Sequence, residues 1–263
     1  MKNKTYWNLR AKKNKKKIKS TTNFNLIKDL EISILKHLFK KYLKSKNLRI
    51  LELGCGNGIN LVELKKKFSK FDFVGIDYSE EMIKYAKENS KNIEFYVGDI
   101  TNTNLYDKFS KFDLIFTNRC LINLKSDNKI KLSIKRAQNV LKKNGYFVFL
   151  ENFRDGHKNQ NKLRNILNLK NRKVAKFNKF LDEKKFKTLL SKNFKILENE
   201  NYSSLNDLLL YVLTPNNSFK INYNSKLQKK LILLLTHFLN KNKYMMRLNY
   251  NSGQNNLIVC KKK

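Results

Sequence analysis

Proline occurs once in 263 residues, alanine four times and glycine eight times. Nothing in the chain reads as a Pro- or Gly-rich linker, and no internal repeat is found, so one α/β domain with an elaboration is expected, or at most two domains. Cysteine is scarce too. Cys55, Cys120 and Cys260 are odd in number, far apart and form no CxxC. That excludes a disulfide framework and a cysteine-based zinc site, no histidine and cysteine cluster suggests another metal, and the pattern suits a reducing compartment. Long apolar runs are missing. The longest is LILLL at 231–235, far below the ~20 residues of a membrane span, and the first twenty residues hold no signal-like apolar core. A cytoplasmic protein is expected. Acidic residues number only 21 against 57 Lys and Arg, a formal net charge of +36. Such a charge suggests a polyanionic partner. Yet 49 of the 57 cations are Lys and 8 are Arg, with 38 Asn alongside, the pattern of an AT-rich coding sequence on a tolerant surface. Both explanations stand at this point, and either gives weak, salt-sensitive binding to nucleic acid.

Against this scarcity, three of the eight glycines fall within five positions, Gly54, Gly56 and Gly58 in LELGCGNG. Glycine is needed where φ is positive or where a ligand comes closer than a Cβ allows. The apolar run Arg49 to Leu53 before them reads as a strand, and Ile59 to Phe68 after them as a helix. Strand and helix signals then alternate. Strands are predicted at 71–77, 93–100, 112–118, 146–152 and 194–200, with a last one in NNLIVCKK. Helices are predicted at 25–44, from Ser79, from Ser126 or Asp127, and from Asp182-Glu183. Asn144-Gly145 reads as a turn. This alternation implies a doubly wound, mostly parallel sheet. Ligands of such sheets sit at the carboxyl ends of the strands. Residues 153–181 are basic and helical in part. Residues 202–250 carry two apolar helical stretches, LNDLLLYVL and KLQKKLILLLTHFL, as a long insertion before the last strand. Insertions of that length usually build lids or binding elements.

The glycine spacing tests the ligand. A dinucleotide loop needs GxGxxG, but its third glycine position is Ile59 here, and no GK[ST] follows for a P-loop. The loop suits a ligand without a pyrophosphate. ELGCGNG resembles the first motif of class I S-adenosylmethionine-dependent methyltransferases. GIDYSEEMI (75–83), VGDI (97–100), FDLIFTNRCLINL (112–124) and VLKKNGYFVFLEN (140–152) are similar to the later motifs, in order and spacing over about 100 residues. NRCLINL, LEN and FNKFLDEKKF (177–186) look like a bacterial subgroup acting on small molecules. The resemblance implies a seven-stranded α/β sheet with a helical insertion before the last strand. It implies S-adenosylmethionine as cofactor and S-adenosylhomocysteine as product.

Residue by residue, the resemblance puts Asp77 on the ribose hydroxyls, 19 positions past Gly58. Asp99 and Ile100 meet the adenine, and Tyr78 flanks it. Gly54, Cys55, Gly56, Asn57 and Gly58 carry the methionine part, with Cys55 chosen for small size. Glu52 stands near the ammonium, or holds the glycine turn. Asn118 borders the methyl group. TYWNLRAKK resembles an N-terminal segment that folds over the cofactor, so residues 1–24 are read as a basic segment, partly mobile or covering the site, and 25–263 as one domain. Trp7 and Arg10 line the pocket on this view, or Trp7 packs on the first long helix.

Catalysis by a base is less legible. Glu151 and His157 follow the fifth strand at the correct edge and are weak candidates. His157 reads as a surface residue of a Gly-His-Lys loop. Asn123 stands where related enzymes carry a histidine, and cannot act as a base. His37 reads as a surface residue and His237 as packing. No NPPY-type motif and no Pro-Cys around Cys120 supports base methylation by those routes. The leading expectation is methyl transfer to a sugar, lipid precursor or metabolite, with 153–181 and 202–250 shaping the acceptor site. RNA methylation and a non-catalytic interaction module are the alternatives. The oligomeric state is not legible.

Overall fold

A computed structural model describes residues 3–22, 25–45, 47–213 and 252–263. His237, the LILLL run and the second apolar stretch of the insertion lie outside these residues. The helix Asn3–Asn14 (α1) leads into Asn25–Tyr42 (α2). The strands follow as Arg49–Leu53 (β1), Asp72–Asp77 (β2), Glu94–Val97 (β3), Phe112–Asn118 (β4), Leu141–Asn152 (β5), Phe194–Asn201 (β6) and Asn255–Lys262 (β7). The helices Ile59–Lys67 (α3), Glu80–Asn89 (α4), Asp127–Asn139 (α5), Arg154–Ile166 (α6), Glu183–Ser191 (α7) and Ser204–Leu208 (α8) connect them. The sheet order is β3-β2-β1-β4-β5-β7-β6. Pairs among β1 to β5 are parallel, and β7 runs antiparallel between β5 and β6.

The strand sequences read as continuous apolar runs because both faces are covered. Ile50, Leu114, Phe116, Val148 and Leu150 pack under α2, α3 and α4. Their neighbours Leu51, Leu53, Ile115, Phe147 and Phe149 pack under α5 and α7. On the first face, Phe39 of α2 is fully buried and lies among Phe68, Phe71, Phe73 and Phe116. Burying such a ring stabilises by about 2–3 kcal/mol. Helix starts follow the sequence signals. Ser79 accepts from Met82 N at 3.2 Å, Ser126 from Lys129 N at 3.2 Å and Asp182 from Lys185 N at 3.0 Å.

Three boundaries differ from the sequence reading. β3 ends at Val97, leaving Gly98 to Ile100 as a loop that carries Asp99. β5 begins at Leu141, because the backbone passes through Asn144 (φ 61°) without leaving the sheet. The Gly-His-Lys segment is no loop but the first turn of α6. Gly156 is required there by a close approach, since a Cβ would collide with the Gly253 carbonyl. The first described residues are helical, and α1 is clamped on α4. Lys4 pairs with Glu80 at 2.5 Å and Lys12 with Glu81 at 3.6 Å, while Ser79 Oγ donates to Asn8 at 2.5 Å.

Candidate functional site

The carboxyl ends of β1, β2, β4 and β5 open on a cavity of about 620 Å³. The order reverses between β1 and β4, the position where such sheets form a crevice. At its floor the glycine loop is tied to β2. The N–H groups of Gly54 and Cys55 both donate to Ile76 O, at 2.7 and 2.9 Å. Gly54 has φ +71°, and a Cβ there would strike Cys120 Sγ. Gly58 has φ +76° and lies against Phe95, whose Cζ would be 2.7 Å from a Cβ. Gly56, at φ +55°, would bring a Cβ within 2.7 Å of Thr21 Cγ2, so all three glycines are demanded by neighbouring protein atoms as well as by backbone geometry.

Asp77 closes β2 and is 8% exposed. Its Oδ2 accepts from Gly56 N and its Oδ1 from Ser79 N, both at 2.9 Å. Each oxygen keeps a further lone pair. Burial raises its pKa to about 6 against those backbone bonds. Asp77, Tyr78, Asp99, Ile100, Asn118 and His157 line the cavity, as do Gly54, Cys55, Gly56 and Asn57. Asp99 Oδ1 accepts from Thr101 N and Oγ1, at 2.8 and 2.7 Å. Asn57 donates to Lys15 O and Lys17 O at 3.1 Å, which joins the loop to the N-terminal segment. Trp7 and Arg10 line the cavity from above. Trp7 packs on Tyr6 and Phe177, not on α2, and donates to Asn123 Oδ1 at 3.3 Å.

Two residues stand apart from this group. Gly58 and Glu52 are behind the lining. Glu52 accepts from Asn60 Nδ2 at 2.6 Å, leaves Oε2 without a partner, and burial raises its pKa to about 8. Asn60 in turn accepts from Lys28 Nζ at 3.0 Å. Glu52 therefore acts on the cavity through Asn60.

The reading of Glu151 and His157 needs correction. Glu151 is fully buried and outside the cavity lining. Its carboxylate receives Cys120 N and Leu121 N at 3.0 Å and Ile122 N at 3.4 Å. It caps the short 3₁₀ turn Leu121–Asn123 and positions the loop after β4. Glu151→Ala should cost roughly 2–4 kcal/mol, since three buried N–H groups lose their acceptor, read as a lower midpoint in denaturant unfolding. An unchanged midpoint would remove this capping role. His157 is not a surface residue. It is 7% exposed, and its Nε2 has no hydrogen-bond partner.

A buried polar cluster beside Asn118 has no signal in the sequence. Glu31 of α2 is 0% exposed. It meets Lys28 Nζ at 3.1 Å and Arg119 Nε at 2.9 Å, and accepts from Asn118 Nδ2 at 2.9 Å. Lys28 and Glu31 are spaced i, i+3, which in a sequence is the signature of an ordinary solvent-facing pair. Among the described residues, no group of three or more His, Cys, Asp or Glu could hold a metal. Nor is any described helix long and apolar enough to cross a membrane.

The residues fit a nucleoside with a zwitterionic tail. A buried carboxylate with free lone pairs stands over a bare main chain, and Lys28 and Asn60 line the same end. Comparison with known proteins agrees. A family profile described as a methyltransferase domain matches residues 44–194. A malonyl-[acyl-carrier protein] O-methyltransferase of Bacillus anthracis is 31% identical over 153 residues, 56% of this chain and 55% of that protein. A demethylmenaquinone methyltransferase of Thermotoga maritima is 31% identical over 103 residues, 39% of this chain and 43% of that protein. The chain spans about half the length of the curated relatives it matches. Among solved structures, a SAM-dependent methyltransferase from Archaeoglobus fulgidus superposes with a TM-score of 0.55 at 17% identity, covering 88% of this chain and 94% of that one. With a match over more than half its length, the chain belongs to the methyltransferase-domain family, and its strand order and glycine loop are those of the class I fold.

Proposed function

We propose that the chain transfers a methyl group from S-adenosylmethionine to a small-molecule acceptor held in the same cavity. The observation that carries this reading is the cavity's extent. Its roughly 620 Å³ runs from the glycine loop to walls built by α1, by residues 172–180 and by α8 with the residues after it. That is the size of a small-molecule site, lined by apolar groups and a few polar ones. It also supports reading 153–181 and the described start of the 202–250 insertion as acceptor elements, and α1 as cover for the donor. The names of two relatives specify a malonyl group on an acyl-carrier protein and a demethylmenaquinone, which favours a metabolic acceptor over RNA.

In this reading Asp77 receives the two ribose hydroxyls, Asp99 and Ile100 the adenine, and Tyr78 flanks the base. Gly54, Cys55 and Gly56 let the methionine part lie on the main chain, while Asn60, steered by Glu52, and Lys28 hold its charged end. When bound, the donor supplies an electrophilic methyl on a sulfonium. The protein's part is orientation and exclusion of water. Asn118 is fixed by Glu31, with its carbonyl oxygen unpartnered.

Trp7 is the sole tryptophan of the chain and lines the cavity. Addition of S-adenosylmethionine should therefore change intrinsic tryptophan fluorescence saturably, in step with calorimetric heats. Absence of both signals would favour an interaction module. Incubation with methyl-labelled donor and a cell extract, then fractionation, tests the acceptor. Label is expected in the low-molecular-mass fraction. Label in RNA alone would overturn the small-molecule reading.

A further inference from the structure

The acceptor end of the cavity has a chemistry of its own. Phe177 and Phe180 form one wall, and Tyr211 another. Two buried acceptor atoms have no partner there, His157 Nε2 and Asn152 Oδ1, in residues 7% and 4% exposed. The His157 ring stands edge-on to Phe180, with centroids 5.4 Å apart. The Arg172 backbone also lies close enough to the ring to oppose the effect of its burial. We place the lone pair of the neutral ring on the unpartnered Nε2. Burial first, and the Arg172 charge second, push the ring pKa down to about 4. The Arg172 guanidinium lies 3.3 Å over the Tyr211 ring and donates to Gln160 and Gln254 side-chain oxygens. Asp207, the carboxylate of this end, is already engaged by Gln254 N at 2.8 Å, Ser203 Oγ at 2.7 Å and Asn206 Nδ2 at 3.2 Å.

We propose that the acceptor is a hydroxyl on a flat unsaturated ring, of the phenol or enol class, and that His157 Nε2 takes its proton during methylation. This rests on the methyltransferase reading above. A buried acceptor atom left without a donor is unfavourable, so the ligand seated here brings a hydrogen-bond donor. A carboxylate acceptor would set its lone pairs against those of Nε2 and Oδ1. A protonated amine brings a second cation beside Arg172 and has no lone pair to attack with. A neutral hydroxyl meets both conditions, and a flat ring matches the aromatic walls. In the step, the hydroxyl oxygen forms a bond to the methyl carbon as the carbon–sulfur bond breaks. The sulfur keeps that bond's electron pair, and the hydroxyl proton ends on Nε2. His157 is a weak base, which is sufficient for an acidic hydroxyl whose developing negative charge lies near Arg172.

The test uses the full chain. With methyl-labelled donor, 4-hydroxybenzoate and tyramine as probes and the low-molecular-mass cell fraction as natural mixture, label is expected in alkali-stable phenolic ethers. His157→Asn and His157→Gln should lower kcat/KM by roughly 100-fold or more, with S-adenosylmethionine affinity held within about twofold by calorimetry. The chain has three histidines, so nitrogen NMR can follow the resonances lost in these variants. They should show an unprotonated Nε2 from about pH 5 to 8. Alkali-labile methyl esters, methylated amines or no labelled ether would overturn the proposal. So would an unchanged kcat/KM in both variants, or a protonated Nε2. Failure of the wild-type chain to bind the donor would instead remove the methyltransferase reading itself.

Discussion

Asp77→Ala is expected to weaken S-adenosylmethionine binding by roughly 10²–10⁴-fold in calorimetry. Two hydroxyls hydrogen-bonded to a buried carboxylate contribute about 1.5–3 kcal/mol each. The alanine also leaves Gly56 N and Ser79 N without their acceptor, so the glycine loop keeps its bonds to Ile76 O but loses the one at Gly56. A change below threefold would remove Asp77 from the donor site. The same residue sets a pH dependence. Its pKa is raised by burial to about 6, and the carboxylate is the form that accepts both hydroxyls. Affinity should therefore rise from pH 5 to pH 7 and level off above. Asp77→Asn should flatten that rise.

Stability of the ligand-free chain runs the other way. An acid whose folded pKa is raised contributes stability that is full below its unfolded value, near 4, and is lost as pH climbs through the folded value. Asp77 and Asp207 at about 6, Glu151 at about 7 and Glu52 at about 8 all act in this sense. The melting temperature without ligand should fall between pH 5 and pH 8. The shift produced by S-adenosylmethionine should grow over the same interval. A ligand-free melting temperature that rises with pH there would contradict the burial of these four acids.

Glu31→Ala is expected to destabilise the fold by about 3–5 kcal/mol, the cost of stripping a buried ion pair of one partner. Lys28, itself buried, and Arg119 would both lose their counter-charge, and Asn118 its anchor. For a chain of this size the melting temperature should drop by roughly 10 °C. Burial raises the Glu31 pKa, but Arg119 and Lys28 outweigh it and hold the carboxyl below its ordinary value. Glu31 is thus charged at neutral pH, and Glu31→Gln should cost less than Glu31→Ala because it keeps the Asn118 bond. Equal losses for both variants would show that charge alone matters. No loss for either would show that the cluster is solvated.

The elements that were legible share one property, namely that their signal is local in the chain. Ile50 and Leu51 belong to opposite faces of the sheet, so an unbroken apolar run announces a strand covered on both sides. Ser79 and Asp182 cap helices within three residues of themselves. Gly54 and Gly58 need positive φ, which few other residues supply. Asp77 and Asp99 were marked by the resemblance of GIDYSEEMI and VGDI to the family's motifs, which are local in the chain, and both line the cavity.

His157 shows why the rest was hidden. Gly156 looked like a turn residue because its real reason, the Gly253 backbone lying against it, comes from a stretch almost one hundred positions away. Glu151 looked catalytic because it ends a strand at the reactive edge, yet its partners are three N–H groups of another strand's loop. Lys28 and Glu31 read as an exposed pair until α2 is laid on the sheet. Arg172 meets Tyr211 and Gln254, residues remote from it in the chain. The sequence by itself determined the doubly wound sheet, the glycine loop after β1 and the capped helix starts, since periodicity, capping and φ preferences act over a few residues. Tertiary structure alone decided which polar groups were buried, which of them kept a free lone pair, and how large a space they share, because burial and desolvation are set by neighbours remote in the chain.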